Sequence, residues 1–123
     1  MVAWDRSGDV TSEQVALFAK VLGYKHEVAW ARRDLEAMAP ELRERVLWAC
    51  RTQTQMLHDP IQDDPALRAA FRQAIKLAET EVGANGPLGH VHALWTAQQR
   101  ILRARFGIVW FTPAEMNPMV CFD

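Results

Sequence analysis

Residues 88–123, LGHVHALWTAQQRILRARFGIVWFTPAEMNPMVCFD, decide the fold. They hold the clearest amphipathic helix of the chain, its one convincing extended run, and a closing segment of aromatic and sulfur side chains. Val91, Leu94, Trp95, Gln98, Ile101 and Leu102 recur at helical spacing, which predicts a helix over 88–106 with one buried face. Arg100, Arg103 and Arg105 crowd its last turns, where cations complement the helix dipole. Gly107 is placed to end it. Ile108, Val109, Trp110 and Phe111 form a β-branched and aromatic run, the signature of a short strand. Thr112, Pro113 and Glu115 then repeat the pattern of a helix start, and Asn117-Pro118 cuts that helix to about one turn. Residues 119–122 are apolar and extended, able to pair with 108–111 as a two-stranded ribbon or to lie in a groove between helices.

Working outward from this stretch, four more helices are expected. Thr11 and Gln14 make a capping box for a helix over 11–22, with Leu17, Phe18, Val21 and Leu22 at helical spacing and Gly23 as its stop. A second helix over 26–38 carries Val28, Ala31, Leu35 and Met38 on one face, and Pro40 prevents its continuation. A third is expected over 41–57, where Leu42, Val46, Leu47, Cys50, Gln53, Met56 and Leu57 line a stripe that leaves Arg43, Glu44, Arg45 and Arg51 largely outside. HDPIQDDP, residues 58–65, reads as a rigid loop; its Asp64-Pro65 end is a cap and first-position pair for a fourth helix to Val82. Leu67, Ala70, Phe71, Ala74, Ile75 and Ala78 form the apolar series of that helix. The expected fold is therefore all-α: one compact bundle of about five helices with a short extended C-terminal segment. Residues 1–123 form one domain, with 1–9 an irregular lead-in in which Trp4 is an anchor, and 107–123 an extended apolar tail.

Composition agrees with a single domain. The chain has 123 residues, 50% of them hydrophobic and 24% charged, enough for one core. A formal charge of −1 removes any bulk electrostatic drive toward nucleic acid or an anionic membrane. No apolar run approaches the roughly 20 residues that span a bilayer, and the N-terminus does not read as a signal peptide, so the expected setting is cytoplasmic with no membrane partner. Cys50 and Cys121 are then expected as reduced, buried thiols. Five tryptophans and five methionines are many for this length, and such side chains serve cores, interfaces and pockets alike.

The residues with chemical potential do not assemble into a familiar motif. His90 and His92 have an H-x-H spacing, but on a helix residues two apart diverge, so they are weak metal candidates. His58 beside Asp59, Asp63 and Asp64 is a second weak candidate, for a hard cation or a general base, with Asp64 better explained as a helix cap and Asp59 as a turn former. Ser7 and Ser12 are the only serines and lie in no nucleophile elbow, and Cys50 falls on an apolar helix face where burial blunts a thiol. Neither a phosphate-binding glycine loop nor an E-x-x-H pair occurs. No catalytic residue, metal or cofactor is expected, and an enzyme is the less favoured reading.

What remains is interaction. Residues 11–38 have the outline of a helix-turn-helix unit, in which Arg32 and Arg33 would face nucleic acid, although Glu27 opens the recognition helix with an acid. Arg68, Arg72 and Lys76 recur every four residues as a basic ridge opposite Phe71 and Ile75. The favoured expectation is a helical protein-interaction module, a regulator or adaptor that binds a protein partner and self-associates. Its contact residues would be Trp110, Phe111, Met116, Met119 and Phe122, the apolar tail left over once the bundle is complete.

Overall fold

The computed structural model describes residues 10–24, 28–83, 86 and 90–120. Six α-helices follow one another: α1 (Ser12–Leu22), α2 (Val28–Ala37), α3 (Pro40–Thr52), α4 (Arg68–Val82), α5 (His90–Phe106) and the single turn α6 (Pro113–Met116). Two 3₁₀ turns, Pro60–Asp63 and Pro65–Leu67, precede α4. The fold is all-α, and no strand forms among the described residues. Residues 1–9, including Trp4, lie outside the described residues.

Local chemistry sets most of the boundaries. The Thr11 hydroxyl accepts the Gln14 N–H at 3.0 Å while the Gln14 side chain accepts the Thr11 N–H at 3.0 Å, closing the capping box of α1. Gly23, at φ 78°, ends α1 in the left-handed region that an L side chain resists, and the Tyr24 N–H returns to the Ala19 carbonyl at 2.8 Å. Gly107, at φ 66°, ends α5 in the same way, with the Ile108 N–H bonded to the Leu102 carbonyl at 3.1 Å.

Helix α3 stops five residues short of the expected Leu57. The cause is the Gln53 side chain, which accepts the His58 N–H at 2.8 Å and donates to the His58 carbonyl at 3.0 Å, so the chain turns back instead of continuing. Leu57 is buried even so, from the loop. Asp64 is also displaced from its expected role: its carboxylate accepts the Ala66 N–H at 2.9 Å and caps the second 3₁₀ turn, and α4 starts only after that turn, at Arg68.

Apolar side chains gather in two clusters. Val15, Phe18, Ala31, Leu35, Val46, Leu47 and Cys50 bring α1, α2 and α3 together, with Leu57 and Met116 added from outside those helices. Phe71, Ala74 and Ala78 of α4 meet Ala97, Ile101 and Leu102 of α5 in the second, which Trp110 completes. The small alanines let α4 and α5 approach closely along their length. Arg43, expected outside the stripe, is in fact buried: it donates to the Leu35 carbonyl at 3.0 Å, the Met38 carbonyl at 3.1 Å and the Glu36 carbonyl at 3.2 Å. It thereby bonds carbonyls of the last turn of α2 and of Met38 just beyond it, where Pro40 prevents the helix from continuing; the Leu35 carbonyl also accepts the Met38 N–H at 3.3 Å.

Candidate functional site

The two clusters are joined where residues 57–63 and 107–117 run together. Past Gly107 the backbone partners alternate in direction. The Val109 carbonyl accepts from Arg45 at 2.9 Å, the Trp110 carbonyl from the Gln99 amide at 2.8 Å, and the Phe111 N–H donates to Asp59 at 3.0 Å. Such alternation is what an extended backbone imposes. It also explains why no strand forms at 108–111, one half of the two-stranded ribbon offered as one alternative: side chains from α3, α5 and the 58–65 loop take the place of a partner strand. Residues 121 and 122 of the other half lie outside the described residues.

Asp59 is the centre of this junction. Its side chain is fully buried, pairs with Arg45 at 2.7 Å, and accepts the Ile61 N–H at 3.2 Å as well as that of Phe111. The Arg45 guanidinium lies 5.5 Å from the Phe111 ring centroid, so the ion pair is roofed by an aromatic face. A few residues on, buried Asn117 clamps Leu57, accepting its N–H at 2.7 Å and donating to its carbonyl at 2.8 Å. Sequence reasoning took Asp59 for a turn former and Asn117 for a helix breaker. Both do those jobs, but their long-range bonds depend on residues 52 and 60 positions away, for which no local pattern exists.

The joined segment forms one wall of a groove of about 290 Å³. Thr96, Gln99, Arg100 and Arg103 of α5 line one side, and residues 108–111 the other. Gln99 is fixed by its bonds to the Trp110 carbonyl and, at 2.7 Å, to Glu115. Arg100 is ion-paired with Glu81 across the α4–α5 hairpin. Arg103 is exposed and has no carboxylate within ion-pair distance among the described residues.

The four expected interface residues that the structure describes separate into three groups. Trp110 and Met116 are buried in the chain's own clusters and have no free apolar surface for a partner. Trp110 packs edge-on to Phe71 with ring centroids 6.2 Å apart and donates its indole N–H to Gln62 at 2.9 Å. Phe111 is half-buried against the first cluster. Met119 is 50% exposed, with Val120 beside it at 38%. Phe122 lies outside the described residues.

Of the nucleic-acid candidates, Arg32 is held within the fold by the Val10 carbonyl at 3.2 Å and Glu36 at 3.6 Å, because α2 lays it against the start of α1. Arg33, Arg68, Arg72 and Lys76 are exposed. The weak metal candidates are not brought together. His58 Nε2 lies 2.6 Å from Asp63, His90 Nε2 lies 2.8 Å from the Gly83 carbonyl, and His92 stacks edge-on to Trp95 at 5.8 Å. No group of three or more His, Cys, Asp or Glu side chains converges among the described residues.

Among the described residues two groups carry displaced pKa values, and neither sits in the groove. Burial pushes the Cys50 thiol up to about 12, which leaves it protonated and unreactive at neutral pH. Burial, then the hydrogen bond to Asp34 at 2.5 Å and the charge of that carboxylate, raise the Tyr24 phenol well above its usual range.

The fold and junction define an all-α protein with a stitched C-terminal segment beside a cationic groove. Among the described residues no helix is long and apolar enough to cross a membrane. Comparison with protein-family models, with curated proteins and with solved structures yields no match.

Proposed function

We propose that the chain is a helical interaction module that binds a protein partner, with a second copy of itself the first partner to test. One observation carries this reading. Every large apolar side chain exposed among the described residues, Ile75 apart, lies on α2, on α3, or on the two stretches that Asn117 clamps together. Trp30 is 51% exposed on α2 and Trp48 is 42% exposed on α3, while Met56 and Met119 flank the Leu57–Asn117 clamp. Tryptophan is the side chain most enriched at the energetic centres of interfaces, and nothing within the fold uses these two faces fully. The contact surface is thus proposed on the α2–α3 side and Met119 rather than on Trp110 and Met116. The setting proposed with it is cytoplasmic, where Cys50 remains a thiol.

The experiment is the solution mass of the chain over a concentration series, repeated with Trp30→Ala and Trp48→Ala. The expected result is a dimer that shifts to monomer in at least one variant with unchanged helical circular dichroism. A chain monomeric at every concentration, or a dimer indifferent to both substitutions, argues against it.

A second reading is favoured by the α4 ridge. Arg68, Arg72 and Lys76 are all exposed and unpaired with any carboxylate among the described residues, an arrangement suited to phosphate contacts. Retention on duplex DNA that falls steeply with salt and is lost in the triple glutamine variant supports it; salt-independent or absent retention dismisses it.

A further inference from the structure

We propose that the groove between α5 and residues 108–111 is a binding site for a small organic monoanion, a carboxylate on a short apolar body. Its volume of about 290 Å³ stands near ~300 Å³, the lower end for small-molecule pockets, so the occupant is compact.

The wall is built before any ligand arrives. From behind, Arg45 holds the Val109 carbonyl and Asp59 holds the Phe111 N–H, and from the front Gln99 holds the Trp110 carbonyl. A segment fixed on both sides loses little freedom on binding.

The donors follow from the same bonds. In extended backbone a residue's N–H lies on the side of its own carbonyl. The Trp110 carbonyl is turned toward Gln99, a groove residue, so its N–H opens on that side too. That N–H makes no hydrogen bond among the described residues. The Thr96 hydroxyl and the Arg103 guanidinium, both exposed on α5, line the same groove. An unbonded amide and a guanidinium together make a charge-assisted cradle for an oxyanion.

Charge fixes the class of anion. Glu81 neutralises Arg100, which leaves Arg103 as the one unmatched charge lining the groove among the described residues. Glu115 is close by, its carboxylate taken up by the Gln99 amide and the Thr112 N–H, and its charge opposes a dianion such as a phosphate monoester. A carboxylate matches the single cation, and the half-buried Ile108 and Val109 receive its apolar body.

Titration of the ¹⁵N-labelled full chain with hexanoate tests the site. Saturable shifts are expected at the Trp110 and Val109 amides and the Arg103 side chain, with neutral hexanamide at least tenfold weaker. Arg103→Gln should weaken hexanoate about tenfold, as loss of one charge-assisted bond implies. Arg105→Gln, on the same last turn but outside the groove, should leave it unchanged. The proposal is overturned if the shifts do not saturate, if hexanamide binds equally well, or if both arginine variants behave alike.

Discussion

Replacing Asp59 with alanine should cost this chain a large fraction of its stability. The side chain is fully buried and receives three donors: Arg45 at 2.7 Å, the Phe111 N–H at 3.0 Å and the Ile61 N–H at 3.2 Å. Its loss leaves Arg45, whose side chain is only 18% exposed, with the Val109 carbonyl and the Phe111 ring as its remaining partners. Breaking one side of a buried ion pair typically costs about 3–5 kcal/mol, because the surviving charge stays desolvated. Two orphaned N–H groups would each add about 1–3 kcal/mol if they stayed dry. Ile61 is half-exposed and its N–H recruits water, so the expected total is about 4 kcal/mol rather than the sum. Against a domain stability of about 5–15 kcal/mol, that is a loss of a quarter or more.

The assay is urea unfolding followed by tryptophan fluorescence and by far-ultraviolet circular dichroism. With a slope of about 2 kcal/mol per molar, the midpoint of Asp59→Ala should fall by about 2 M. Arg45→Ala and the double variant complete a cycle. If the pair is one unit, the double variant should cost little more than Asp59→Ala alone, with a coupling of about 2 kcal/mol or more. Asp59→Asn, which keeps an acceptor oxygen and loses the charge, should fall between wild type and alanine. A loss below about 1 kcal/mol for Asp59→Ala, or a coupling below about 0.5 kcal/mol, refutes the claim that this ion pair joins the two clusters.

Two further outcomes follow from burial. The folded chain holds protons on Cys50 and Tyr24 that the unfolded chain releases above their ordinary values of 9.0 and 10.0. Their contribution is therefore complete below pH 9 and declines as pH rises toward about 12, by roughly 1.4 kcal/mol per pH unit for each group titrating only in the unfolded chain. Urea midpoints measured from about pH 8 to about pH 11 should fall, less steeply above about pH 10 in Tyr24→Phe; a flat profile contradicts the burial of both groups. Deletion of 108–123 should abolish the helical fold, since it removes buried Trp110, Met116 and Asn117, whereas deletion from Pro118 onward should preserve it. Equal helix content in the two truncations would show that the segment is dispensable to the core.

These expectations also mark where sequence pattern stops being informative. Capping boxes at Thr11 and Thr112, the left-handed glycines at 23 and 107, and Pro40 at the head of α3 are local devices, complete within a few residues, and each is readable without tertiary knowledge. Arg43 was readable too, by position rather than by type. It shares the i, i+3, i+4, i+7 spacing of buried Val46, Leu47 and Cys50, but a charge at such a position invites the assumption of solvent. What converts it to a core residue is a set of three carbonyls, Leu35 and Glu36 in the last turn of α2 and Met38 just past it, a need that belongs to the end of α2 and not to α3. The tail poses the same problem in reverse. Apolar residues 108–111 resemble surplus surface when counted against five helices, yet Trp110 fills the end of the α4–α5 cluster and the backbone around it bonds to Arg45, Gln99 and Asp59. The tail meets polar groups from distant parts of the chain, and Arg43 meets carbonyls five to eight residues back on a different element. Amphipathic periodicity describes which face of a helix is dry, but it carries no information about which buried polar atoms must meet, and in this fold those meetings join the two clusters and shape the groove.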